Sequence, residues 1–233
     1  MSSLHKFRTA LERTMTGQID SRPFVCSGSP YECKIFIVGF NPATTTSEPF
    51  WTFWNDATGF DKERWFKHYK LERSRQPLKP GKTRRAAVSN TRKIIDYIVS
   101  EVRPAKVLET NVYGKPTSSE RELSASRKTI DVFDFLLSEI NPGTILLHGK
   151  EARDIFANKY NCHLKLGTFA DIFSNPCTIN ENTVDIIALP HLSRGCSRAA
   201  AEAIGQALKI ACARDNRHVE RLPASESATR LLK

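Results

Sequence analysis

The sequence predicts an α/β fold of three layers, with helices on both faces of a central, mainly parallel four-stranded sheet. Three observations predict it. Short apolar runs of strand length alternate with longer stretches whose apolar residues recur at helical spacing. Those runs are nearly continuous rather than alternating, as strands covered on both faces require. Finally, 233 residues, 40% of them hydrophobic, suffice for one core of this kind without metal or disulfide staples.

Leu4, Phe7, Leu11 and Met15 open the chain with a short amphipathic helix. Residues 17–30 carry scattered Gly, Ser and Pro, and 1–30 reads as a helix and loop extending ahead of the domain. The run 33–38 is apolar apart from Lys34 and closes on Gly39, a buried strand. Residues 40–55 are loop-like and rich in aromatics. A helix is expected around 62–71, followed by a Pro-, Gly- and Arg-rich segment at 76–85. Ser89 or Asn90 then caps a helix carrying Ile94, Ile95 and Ile98. The second strand is 106–112. Next comes a helix at 126–140, with Ile130, Phe133, Leu137 and Ile140 on one face, stopped by Asn141-Pro142-Gly143. The third strand is 144–147, a helix covers 151–160, and the fourth strand is 184–189. An Ala-rich helix at 197–213 completes a single domain over 31–213, and the polar stretch 214–233 reads as a loose tail.

Charge is unevenly placed. The chain carries 35 Lys and Arg against 25 Asp and Glu, a net of +10. Between Asp61 and Lys93 stand twelve of those cations and three acidic residues, while the rest of the chain is nearly neutral. Such a block reads either as the footprint of a polyanion or as a solvated basic loop. No apolar run reaches the length of a membrane span, and the N-terminus lacks the apolar segment of a signal peptide. The expectation is a soluble, cytoplasmic monomer with no membrane partner. Six cysteines at irregular spacing, without a C-x-x-C pair, read as free thiols rather than a metal or iron–sulfur site.

In open parallel sheets, ligands bind at the carboxyl ends of the strands. The polar residues there are Gly39-Phe40-Asn41-Pro42, then Glu109-Thr110-Asn111, then His148-Gly149-Lys150, and last His191-Leu192-Ser193-Arg194-Gly195. Two Asn and a His converge on one rim, with no nucleophilic serine elbow and no paired carboxylates. Each residue has a plain structural reading as well. Asn41 before Pro42 suits a turn, Asn111 suits a loop cap, and His191 suits a satisfied histidine. The other histidines, His148 included, read as surface or structural residues. His148-Gly149-Lys150 reads as an ordinary strand-to-helix turn, and the stretch from Ser193 to Ser197 as the better phosphate contact.

Gly39-Phe40-Asn41-Pro42 resembles the water-positioning Gly-x-Asn-Pro motif of the uracil-DNA glycosylase superfamily, and is nearest the mismatch-specific and single-strand-selective branches. Asn111, followed by Val112-Tyr113-Gly114, resembles the Asn that reads a flipped base. His191-Leu192-Ser193 resembles the superfamily's His-Pro-Ser, which contacts the base and supports a DNA-intercalating loop. The resemblance implies a DNA glycosylase-like hydrolase for uracil or another deaminated base, acting in base excision repair without metal or organic cofactor. It implies Asn41 and His191 as catalytic residues, with Gly39, Phe40 and Asn111 around the base. A stacking ring would come from Phe50, Trp51, Phe53 or Trp54, with Phe53 and Trp54 preferred. Lys79, Lys82, Arg84, Arg85, Ser193, Arg194 and Ser197 would contact DNA. Leu192, at the Pro position, would either wedge into the base stack or pack beneath its loop. Ala43 stands where another branch excludes thymine with a Tyr, which opens the range of bases. Two rival expectations are a non-catalytic nucleic-acid binder of the same fold and an enzyme acting on free nucleosides or nucleotides.

Overall fold

A computed structural model describes residues 2–16, 21–42, 47–78, 80–81, 83–117 and 128–219. The predicted α/β class holds, but the sheet has six strands and is mixed. Its centre is four parallel strands: β2 (Cys33–Gly39), β5 (Lys106–Asn111), β6 (Thr144–His148) and β8 (Asn182–Leu189). Two antiparallel strands close the edges, β1 (Phe24–Val25) against β5 and β7 (Asn175–Ile179) against β8, giving the order β1-β5-β2-β6-β8-β7. The sequence hid both edges for physical reasons. β1 is two residues long, too short for any periodicity. β7 contains Pro176, which an edge strand tolerates and a central strand does not. A separate two-stranded ribbon pairs β3 (Trp54–Asn55) with β4 (Gly59–Phe60).

Side-chain alternation divides the core in two. Ile35, Ile37, Val107, Leu146, Ile187 and Leu189 face α3 (Asn90–Glu101) and α6 (Arg198–Val219). Their neighbours Phe36, Val38, Leu108, Ile145, Leu147 and Ile186 face the other side. That side holds α1 (Ser3–Thr14), α4 (Asp131–Ile140) and α5 (Lys150–Lys159), and also the buried Trp65 and Tyr69 of α2 (Lys62–Arg75). The N-terminal segment is part of this domain rather than an appendage. Phe7 and Leu11 are fully buried, and Phe7 meets the Phe135 ring of α4 at 5.5 Å.

The ends of several elements settle or correct the expectation. Ser89 is the N-cap of α3, its hydroxyl accepting from the Arg92 N–H. α4 begins at Asp131 rather than 126, with residues 128–130 outside the helix and Asp131 and Asp134 in its first turn. α6 continues to Val219, so the first part of the expected tail is helical. Cys162 and Cys177 form a disulfide between the loop after α5 and β7, with a Cα separation of 5.8 Å. That corrects the expectation of free thiols throughout; Cys26, Cys33, Cys196 and Cys212 remain thiols. No described helix is long and apolar enough to cross a membrane.

Candidate active site

The period of two that buries Ile35 and Ile37 places Gly39 on the α3/α6 face of the sheet. The same rule carries Val107 to Glu109 and Asn111, and Leu146 to His148. Gly39 lies opposite Asn111 in the β2–β5 register. Residues at the carboxyl ends of adjacent strands therefore meet on one face. A Cβ added at Gly39 would stand 2.7 Å from Asn111 Oδ1 and 3.0 Å from His148 Nε2. Only glycine lets those two side chains close over this point.

His191 follows β8 and completes the group. Its ring meets His148 edge to face, centroids 5.1 Å apart at 75°. Gly149 has φ +101, a conformation that strains any other residue, and a Cβ there would lie 3.7 Å from His191 Cδ2. Burial above all drives His148 down to about 3, helped by the neighbouring His191 and Arg92, so its ring is neutral at physiological pH. Its Nδ1 is buried without a hydrogen-bond partner. His191 is also pushed down, by burial and then by Arg194. The Ser193 backbone N–H lies 3.3 Å from His191 Nδ1, and Ser193 Oγ lies 2.8 Å from it. A backbone N–H can only donate, so Nδ1 accepts and the neutral ring carries its proton on Nε2.

Asn41 follows two residues after Gly39. Its Nδ2 donates to Thr117 Oγ1 at 2.7 Å and to the Pro42 carbonyl at 3.3 Å, fixing the amide so that Oδ1 is the acceptor left to act. The two loops are joined by backbone bonds, Val112 N–H to Gly39 O at 2.9 Å and Tyr113 N–H to Phe40 O at 3.0 Å. Phe40 is half-buried and meets Tyr113 edge to face at 5.2 Å.

Other predicted residues stand elsewhere. Trp54 stacks on Phe7 at 5.8 Å and donates from Nε1 to Asp56 at 2.7 Å. Phe53 is buried against Phe60 and His68. Both preferred stacking rings thus spend their faces on an aromatic cluster, because large rings bury wherever a core will take them. Leu192 corrects the wedge reading. It is 0% exposed, among the apolar residues of the α3/α6 core, and packs beneath its loop. Ser193 and Arg194 are exposed beside His191. Ser197 is also exposed, and its hydroxyl accepts from Ala200 N–H, capping α6. Lys79, Lys82 and Ala43 lie outside the described residues. Arg84 is exposed, whereas Arg85 binds Gln76 Oε1 at 3.3 Å and the Pro77 carbonyl.

Beneath Asn111 lies a group that sequence reasoning missed. Glu109, two residues back along β5 on the same face, is buried between Lys62, whose Nζ lies 2.7 Å away, and Arg92. Burial works against its charge, yet Arg92 and Lys62 outweigh it and hold the carboxyl down at about 2. Among the described residues, no three His, Cys, Asp or Glu gather to hold a metal ion. No protein-family model matches this chain and no curated protein does either, so the resemblance rests on the residues themselves.

Proposed function

We propose that this chain is a DNA glycosylase-like hydrolase that excises uracil or another deaminated base after flipping it from the strand. The observation that carries this reading is the meeting of Asn111 and His148 over Gly39, with His191 against the His148 ring, at the carboxyl ends of β5, β6, β2 and β8. Breaking an N-glycosidic bond sends its electron pair onto the base and leaves positive charge on the sugar. A donor aimed at the base oxygen stabilises that leaving group, and His191 offers Nε2–H without carrying a charge that burial would penalise. Asn111 presents an acceptor and a donor side by side, matching the N3–H and O4 edge of uracil. Asn41 Oδ1 orients the water that attacks the sugar carbon as the base departs. An amide accepts no proton at neutral pH, so that proton passes to solvent and a slow enzyme is expected. Phe40, next to Gly39 and half-buried against Tyr113, is the ring this reading assigns to stacking on the base.

The test is base release from oligonucleotides bearing uracil, hypoxanthine or xanthine, single-stranded and paired, followed by cleavage at abasic sites. Product that vanishes in His191→Ala supports the reading. Release from free deoxyuridine alone would make the chain a nucleoside enzyme. Salt-sensitive DNA binding without any release would make it a binder.

A further inference from the structure

The cluster beneath Asn111 holds more positive charge than it uses. Lys62 and Arg92 share Glu109, and Asp96, 37% exposed, lies 3.2 Å from Arg92 Nε. Arg92 itself is only 7% exposed, and its Nη2 is buried with no hydrogen-bond partner. A third cation, Arg22, joins them without bringing a carboxylate. Its backbone N–H bonds the Gly114 carbonyl at 3.1 Å, which ties it to the turn just past Asn111. Its guanidinium lies 5.8 Å from the Trp65 ring centroid, and so does that of Arg92. Among the described residues, no carboxylate pairs with Arg22. Desolvation and then the charge of Arg92 bring Arg22 down to about 10, with Glu109 and Tyr69 working the other way, so it keeps its proton at neutral pH.

A guanidinium N–H left buried and unpaired, as Nη2 of Arg92 is, costs stability unless an anion completes it. We propose that Arg22 and the unpaired Nη2 of Arg92 form a subsite for a phosphate monoester, next to the Asn111 end of β5. The planar donor forks of two arginines suit tetrahedral oxyanions. A terminal monoester carries two negative charges against a diester's one, and so answers two arginines more fully. It would come from a free mononucleotide or from the phosphorylated end of a strand. The subsite goes beyond the base-excision reading and needs no base release, so the two stand or fall separately.

The experiment titrates the full chain with inorganic phosphate at constant ionic strength, following heat of binding and Tm. Saturable binding is expected, with Tm rising above that in matched chloride. Arg22→Gln should weaken phosphate binding by about tenfold or more, and Arg22→Lys by less, because a charge-assisted pair is lost in the first and only its fork geometry in the second. Among the described residues Arg22 has no ion-pair partner to orphan, so the fold should survive, which circular dichroism checks. If Arg22→Gln fails to fold, the wild-type titration still decides. No saturable response beyond chloride, or an undiminished response in folded Arg22→Gln, overturns the proposal. Competition by dUMP alone assigns the subsite to a mononucleotide, and competition by a 5′-phosphorylated oligonucleotide alone assigns it to a strand end. Competition by both supports a monoester from either source, and competition by neither overturns the monoester assignment.

Discussion

Gly39, Asn111, His148 and His191 make a group so tight that single atoms decide its behaviour. Gly39→Ala would thrust a methyl group to 2.7 Å from Asn111 Oδ1 and 3.0 Å from the His148 ring. A destabilisation of about 1–3 kcal/mol is expected from urea unfolding, together with loss of base release. His191→Ala removes the proposed donor from a half-exposed site and should leave stability nearly unchanged. Its single-turnover rate should fall by about 10²–10³. If His191 acts as the proposed neutral donor, its lowered proton affinity predicts activity that holds through neutral pH. It should decline only below the ordinary histidine value of 6.5, as Nδ1 gains a proton and loses its bond from Ser193. Asn41, Asn111 and His191 were legible in the sequence because each closely follows an apolar strand run. His148 was not. Its place beside Gly39 depends on the register of β2 against β6, which no local pattern encodes.

Among the secondary-structure elements, α3 and β5 share the most consequential buried charge. Glu109 is held at about 2 against an ordinary 4.5, so its contribution to stability is complete above pH 4.5 and is lost as pH falls towards 2. His148, held at about 3 against 6.5, acts over a higher window. The unfolded chain binds a proton there that the folded chain refuses, so stability falls as pH drops from 6.5 towards 3, by about 1.4 kcal/mol per pH unit. Urea midpoints measured between pH 7 and 5 should show this slope, and His148→Gln should flatten it. Leu192 supplies the contrast. Leu192→Ala should cost about 2–5 kcal/mol while the folded variant binds DNA as the wild type does, since Leu192 lies in the core between α6 and the sheet. The central strands and most helices could be read from the sequence because their periodicity is long. The Arg92–Glu109 pair could not, because partners on a helix and a strand are joined only by tertiary packing.

Across the whole molecule, the basic segment turns out to be divided in its labour. Lys62 and Arg92 turn inward to Glu109, while Arg73 bonds the Ala86 carbonyl at 2.8 Å and Arg85 bonds Gln76 and Pro77. Arg64, Lys67, Lys70, Arg75, Arg84 and Lys93 are exposed. Composition revealed the excess charge but not this split, which depends on which cations find carbonyls and carboxylates nearby. If the exposed set meets phosphates, neutralising Lys67, Lys70, Arg75 and Arg84 together should flatten the dependence of log Kd on log salt, by about 0.7–0.9 for each phosphate no longer neutralised. Unaltered slopes would return these charges to solvation. Whether the strand-end group breaks an N-glycosidic bond is decided by a single-turnover assay on a labelled oligonucleotide carrying one deaminated base. A free base and an alkali-labile abasic site are expected with wild type, and neither with His191→Ala or Asn111→Ala. Wild-type protein that binds this DNA yet releases no base from uracil, hypoxanthine or xanthine strands would contradict the assignment.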